Sequence, residues 1–265
     1  MPYKIVFFDI DGTLINGHKQ IPQDTIEAIK QLKASNIHVV IATGRSPYHL
    51  KPIAEEVGID SYISFNGSIV VHQGELIHRQ PISVHSLQAL DQMAKSNSHP
   101  LVYLGDEGYY ANHDQHPHIL ETFHELNIQP PAYNPDYWKD NSIFQVMMYC
   151  QHNEELSYVQ VDEEGTAQSV PDVKAVRWHA LSVDIIPAVG SKARGIEALL
   201  NHMGISPAEA VAFGDALNDR EMLSYVGMGI AMGNALDELK ALANFTTRHV
   251  NDGGIRYGLQ HIGLI

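Results

Sequence analysis

Apolar and polar positions alternate between two spacings in the N-terminal quarter of the chain. Lys4 to Phe8 is a short, nearly unbroken apolar run, as expected of a strand covered on both faces. Ile26, Ile29 and Leu32 then recur at helical spacing, Ile37 to Ala42 forms a second apolar run, and Tyr62 to Phe65 a third. This order predicts a βαβ pattern and a parallel sheet. Ser46-Pro47 reads as a helix start, with serine as N-cap and proline at the first helical position.

The texture changes after Phe65. Asn66-Gly67 is a turn signal, and Ile69 to His78, broken at Gln73-Gly74, predicts a hairpin leading out of the sheet. From about Ser83 to Ile186 the pattern mixes a helix at Leu87 to Ala94 with a hairpin, Leu101 to Leu104 and Tyr109 to Asn112. Further strand-like runs follow at Ile143 to Cys150 and Val183 to Ile186. Such a mixture predicts an α+β insert. The alternation resumes near Lys192. Ile196, Leu199, Leu200 and Met203 make a helical stripe ended by Gly204, Ala210 to Phe213 a strand, and Met222, Leu223 and Val226 a helix face ended by Gly227. Gly229 to Met232 is a strand, Asn234 a cap for the helix carrying Leu236, Leu239 and Leu242, and Phe245 to Thr247 a last strand. The fold class is therefore α/β, with a parallel-sheet core of residues 1–82 and 187–265 and an inserted α+β domain of residues 83–186.

Composition narrows the function. A net charge of −14 over 265 residues argues against a nucleic-acid partner, which would need a basic surface. The single cysteine, Cys150, lies in an apolar run and suits a reducing compartment. No signal segment or membrane-length apolar span is present, so a soluble, cytoplasmic protein is expected.

Two acidic segments follow apolar strands: Asp9-Ile10-Asp11-Gly12-Thr13-Leu14 and Gly214-Asp215-Ala216-Leu217-Asn218-Asp219. In open α/β sheets ligands bind where strands give way to loops at their C-terminal ends. Grouped carboxylates there are costly without a cation, and oxygen-only donors favour a hard ion such as Mg²⁺. Asp9 and Asp11 can divide nucleophilic and proton-transfer work. Phosphoryl transfer fits, because it needs a metal, loop amides, a hydroxyl and a fixed cation around one point. Thr43 offers the hydroxyl and Lys192 the cation.

The chain resembles the haloacid dehalogenase superfamily, and within it the Cof-type phosphatases. The resemblance rests on Asp9-Ile10-Asp11-Gly12-Thr13, Thr43-Gly44-Arg45, the isolated Lys192, and Gly214-Asp215 with Asn218-Asp219, in this order. It implies a Rossmannoid core with an inserted α+β cap. It also implies Asp9 as nucleophile forming an aspartyl-phosphate, and Asp11 as acid/base. Mg²⁺ would be held by the Asp9 carboxylate, the Asp11 backbone carbonyl and the Asp215 carboxylate, with Asp219 supporting the metal and Lys192 from behind. Thr43, Gly44, Lys192 and Asn218 would surround the phosphoryl group, and Arg45 would reach the substrate. Ala216 stands where many relatives carry a polar residue, and no assigned role depends on it.

The expected activity is hydrolysis of a small phosphomonoester, a sugar phosphate or a phosphorylated cofactor or its precursor. A phosphomutase using the same phosphoenzyme is the alternative within enzymes, and a catalytically silent phosphometabolite-binding protein the alternative outside them. Dehalogenases lack the second aspartate and the ATP-driven pumps have threonine there, so Asp11 counts against both. In the insert, His113, His116, His118 and His124 cluster without cysteine, and Pro117 interrupts helical spacing, so a solvated loop is expected over a zinc site. Tyr103, Tyr109, Tyr110, Tyr133, Tyr137 and Trp138 are read as packing for the insert's core, with stacking on a substrate ring as the other reading. Asp184 is a candidate for the active cleft or the end of a strand.

Overall fold

The computed structural model describes residues 3–159 and 169–265. In chain order the first stretch contains β1 (Ile5–Phe8), α1 (Gln23–Ala34), β2 (His38–Ala42), α2 (Pro47–Val57), β3 (Tyr62–Ser64), β4 (Ile69–His72) and β5 (Glu75–Arg79). There follow α3 (Val84–Asn97), β6 (Leu101–Gly105), β7 (Tyr109–Ala111), α4 (Pro117–Glu125), β8 (Ala132–Tyr133), α5 (Tyr137–Asp140), β9 (Ile143–Tyr149), α6 (Leu156–Val159), β10 (Val173–His179) and β11 (Ser182–Pro187). The last stretch holds α7 (Lys192–Met203), β12 (Ala210–Gly214), α8 (Arg220–Tyr225), β13 (Met228–Ala231), α9 (Asp237–Leu242), β14 (Phe245–Thr246) and α10 (Gly254–His261). The chain divides into two compact units, Met1–Arg79 with Ser191–Ile265, and Gln80–Gly190.

The first unit is built on a sheet of order β14-β13-β12-β1-β2-β3-β4-β5, parallel from β14 through β3. Successive side chains of β1 point to opposite faces. Val6 and Phe8 enter one apolar layer with Ile29 and Leu32 of α1, Leu50 of α2 and Leu259 of α10. Ile5 and Phe7 enter the other, with Ile196 and Leu199 of α7, Met222 of α8 and Leu239 of α9. Two covered faces explain why β1 is apolar at every position. The hairpin β4–β5 does not leave the sheet, as expected from sequence, but extends it antiparallel beyond β3. Ile69, Val70 and Val71 are all buried there, and β3 would otherwise be an unpaired edge.

The second unit has a sheet of order β10-β11-β9-β6-β7-β8, antiparallel except between β7 and β8. One face packs Val146, Met148, Val183, Ile185 and Tyr103 against Leu87, Leu90 and Ala94 of α3. Tyr137 and Trp138 join this core and Tyr110 packs on it. Tyr109 lies against Phe123, and Tyr133 is exposed. Part of the stretch expected as a solvated loop is instead helix α4, while His113 stays in the loop before it: Pro117 occupies the helix start, where its missing N–H costs nothing. His118 and His124 ride on that helix and His116 stands at its N-cap position without a side-chain cap bond. Asp184 stands inside β11. Among the described residues no helix is long and apolar enough to cross a membrane.

Candidate active site

The sheet order makes β12, β1 and β2 neighbours. Asp215, Asp9 and Thr43 each follow one of these strands, so three distant segments meet at the C-terminal ends of neighbouring strands, where parallel α/β sheets bind ligands. Asp9 and Thr43 are buried. The Asp9 N–H donates to the carbonyl of Phe213, which ties the end of β1 to the end of β12.

Lys192 is fully buried at the start of α7, whose N-cap Ser191 accepts from the Arg194 N–H. Its Nζ donates to Asp9 Oδ1 at 2.6 Å and to Asp219 Oδ1 at 2.6 Å. The start of α7 approaches this point because Gly67, at φ 100°, has no side chain: a Cβ there would lie 2.0 Å from the Ser191 carbonyl oxygen. Asp219 uses its other oxygen, Oδ2, to accept from the N–H groups of Asp215 and Ala216 at 2.9 and 3.0 Å. Asp219 thus shapes the loop and anchors the lysine together.

Asp215 accepts from Thr13 Oγ1 at 3.2 Å and from Asn234 Nδ2 at 3.2 Å. Asn234 also donates to the Gly12 carbonyl at 2.8 Å and accepts from the Val250 N–H. It is therefore not the helix cap expected from sequence; Leu236 precedes α9 directly, and Asn234 instead ties three loops together. Gly12 sits at φ 78°, and a Cβ on it would fall 2.1 Å from Asp215 Oδ2. Glycine alone lets the two acidic loops touch.

The carboxylate of Asp11 lies apart from this group. Arg45 grips it with two bonds, Nε to Oδ2 at 2.8 Å and Nη2 to Oδ1 at 2.7 Å, and Lys19 adds a third at 2.9 Å. Lys19 reaches it from a turn held by Asn16, whose Oδ1 accepts from the N–H groups of His18 and Gln20. Thr43 Oγ1 accepts from the Arg45 N–H at 3.1 Å. Asn218 Nδ2 donates to Asn66 Oδ1 at 3.1 Å, and a Cβ on Gly44 would stand 3.1 Å from the Asn66 amide. Lys19, Asn66, Asn234 and Thr13 were not singled out in the sequence as site residues. Asn66 was visible only as the first half of an Asn-Gly turn, and its left-handed φ of 50° fits that signal.

Carboxylate oxygens of Asp9, Asp215 and Asp219 lie within 4.8 Å of one another, with Lys192 as the cation in direct contact. Burial raises Asp9 well above the usual carboxylate range; Asp219 and Asp215 add to this and Lys192 opposes it. Asp215 is pushed up to about 7, by burial first and then by Asp219. Burial would lower Lys192, but Asp219 and Asp9 outweigh it and raise it. Burial also pushes Asp11 upward, yet its bonds to Arg45 and Lys19 prevail and hold it below its ordinary value. Anionic oxygens in excess of the local cation, buried and protonating too readily, fit an added hard dication.

Residues 6–259 match the haloacid dehalogenase-like hydrolases. The chain belongs to that family, in its Cof-type group, and is a hydrolase with relatives named as phosphatases. It is 39% identical to YkrA of Bacillus subtilis strain 168, whose name marks it as a provisional phosphatase, over the whole of both chains. A solved structure of a hypothetical protein from Geobacillus kaustophilus is 43% identical, with a TM-score of 0.90 over 99% of this chain and 100% of that one. A sugar phosphatase of subclass IIB superposes with a TM-score of 0.84 at 27% identity, covering 99% of this chain and 100% of the other.

Proposed function

We propose that this chain is a Mg²⁺-dependent phosphatase that hydrolyses a small phosphomonoester, a sugar phosphate or a phosphorylated cofactor or its precursor, through an aspartyl-phosphate on Asp9. The observation that carries this reading is the buried Lys192 bonded at once to Asp9 and Asp219, with Asp215 alongside. A lysine so placed pins one Asp9 oxygen and supplies positive charge where a phosphoryl group would gather negative charge. The sugar phosphatase among the structural relatives supports the substrate class.

Asp9 attacks phosphorus, the bond from phosphorus to the ester oxygen breaks, and Asp11 gives that oxygen a proton. Asp11 then takes a proton from the water that attacks the phosphorus of the aspartyl-phosphate; inorganic phosphate leaves and the Asp9 carboxylate is regenerated. Thr43, Gly44, Lys192 and Asn218 bind the phosphoryl oxygens. Arg45, now paired with Asp11, is the cation that an incoming substrate anion draws away, freeing Asp11 to carry a proton. Mg²⁺, held by the carboxylates of Asp9 and Asp215 and the backbone carbonyl of Asp11, would neutralise phosphoryl charge. Asp219 holds the loop and the lysine. The cap, residues 83–186, chooses the leaving group.

Phosphate release measured over many phosphomonoesters with Mg²⁺, ranked by kcat/KM, tests this reading. Turnover of at least one small phosphomonoester is expected, with free phosphate as product. Release from none by metal-loaded protein contradicts it, and a phosphorylated sugar isomer as product points to a mutase.

A further inference from the structure

Three histidines from separate elements of the first unit come together. His38 begins β2, His72 ends β4 and His202 lies in the last turn of α7. Val40 and Val70, two residues from His38 and His72, enter the apolar layer that α7 covers, so strand alternation puts both histidines on the face under α7. The ring of His72 stands 6.3 Å from that of His38 and 5.6 Å from that of His202, centre to centre. The group lies at the end of the sheet away from the acidic loops, since Thr43 follows the far end of β2 and Lys192 opens the far end of α7.

Its chemistry differs from that of the acidic site. Imidazole nitrogen suits zinc and its neighbours in the transition series, whereas Mg²⁺ prefers oxygen. Two imidazoles on one ion, with bonds of about 2.0–2.1 Å, hold their ring centres about 5–6 Å apart, close to the spacing found. Both contacts are edge to face, so a shared ion requires the outer rings to turn. His38 and His202 are exposed and can adopt other rotamers, while the half-buried His72 stands between them.

Burial, then His202 and His38, hold His72 below the ordinary imidazole value, against the pull of Asp60 and Glu75. His72 is therefore neutral near pH 7, the form that binds metal. Those two carboxylates and the carbonyl end of α7 favour a positive charge here. A cavity of about 320 Å³, lined by His38, His72, Asp60, Ser61, Gln73 and Met203 among others, gives an ion and its waters room.

We propose that His38, His72 and His202 form a second metal site, for a divalent transition ion such as Zn²⁺, which pins the start of β2 and the end of β4 to the end of α7. This site is separate from the phosphatase reading and does not depend on it.

The test uses the full chain after chelation, as wild type and as Asp215→Asn, which weakens the acidic site. Zn²⁺ binding is followed by calorimetry and by the unfolding midpoint, and Co²⁺ binding by visible absorption, which is intense in tetrahedral nitrogen sites and weak in octahedral oxygen coordination. Both chains should bind an ion that excess Mg²⁺ does not displace, with a raised midpoint and the intense Co²⁺ band. His72→Gln should lower the Zn²⁺ affinity by about 10-fold or more. His38→Gln and His202→Gln should do the same and, as changes at exposed positions, they keep the fold even if His72→Gln does not. Unchanged affinity in all three variants overturns the site, as it would if the ion sat on His116 and its neighbours. Loss of Zn²⁺ binding in Asp215→Asn with retention in the histidine variants also overturns it, by assigning the ion to the acidic loops. Absence of saturable binding by either chain does so as well.

Discussion

Lys192 Nζ stands 2.6 Å from Asp9 Oδ1 and 2.6 Å from Asp219 Oδ1, with no exposure to solvent. Replacing it by methionine keeps much of the volume and removes the positive charge in direct contact with this pair. Lys192→Met should lose about 3–5 kcal/mol of stability, the cost typical of breaking a buried ion pair from one side. It should also lower turnover by about 10²–10³-fold. Chemical denaturation and phosphate release on the same preparation check both numbers, and near-wild-type values for both would remove Lys192 from the machinery.

Asp9→Asn separates chemistry from architecture. The amide oxygen can still accept from Lys192, so the fold should persist, but an amide is no phosphate-accepting nucleophile. Turnover should drop by about 10³-fold or more, with circular dichroism and unfolding midpoint close to wild type. A purified, metal-loaded variant that retains substantial activity would exclude the covalent route.

Metal binding should compete with protons. Asp215 is pushed up to about 7 without a cation, by burial and by Asp219, so at lower pH a proton would occupy an oxygen that the proposed Mg²⁺ site uses. The apparent Mg²⁺ affinity should increase as pH rises through about 7, and Mg²⁺ should raise the unfolding midpoint of the chelator-treated protein. Chelation should abolish turnover and Mg²⁺ restore it. Ca²⁺, which takes more oxygen ligands at longer distances, should compete for binding yet support little phosphate release. Calorimetry with each ion across pH, beside steady-state assays, distinguishes these outcomes; full activity without a divalent ion contradicts the site.

Asp184 gives a pH dependence independent of metal. Its folded value, about 8, lies above its ordinary 3.8 because of burial. Between these values the unfolded chain has released the proton and the folded chain has kept it. Folding stability from this group is therefore complete below about 4 and is lost as pH rises to about 8, by an amount on the order of a few kcal/mol. Asp184→Asn cannot titrate, so the stability difference between wild type and variant should move with pH in this window. Parallel stability curves would show that the carboxyl ionises as it does in water.

The strands and helices of the core were legible in the chain because burial is periodic at local scale. β1 is apolar at every position since both its faces are covered, and Gly204 ends α7 in the left-handed conformation. Asp9, Thr43 and Asp215 could be picked out because each follows such a run directly. Pro117 misled because sequence alone does not say whether a proline interrupts a helix or begins one. The hairpin β4–β5 misled because a turn signal carries no information on which edge its strands will join.

By itself, then, the sequence determined the elements, the residue types and their order, all of which depend on neighbours a few positions away. Tertiary structure decided which of them meet. Pairing of β1 with β12 sets Asp9 beside the Asp215 loop, and the close approach of Gly67 to Ser191 brings in Lys192, 183 positions away from Asp9. The same long-range packing recruited Asn66 and Asn234, which look like ordinary turn and cap residues in the chain. It also decided that Asp184, one acid among many, would be buried beside Gln145 and Trp178. Charge balance and desolvation are properties of groups close in space, and strand pairing and side-chain packing, which no local pattern encodes, set those distances.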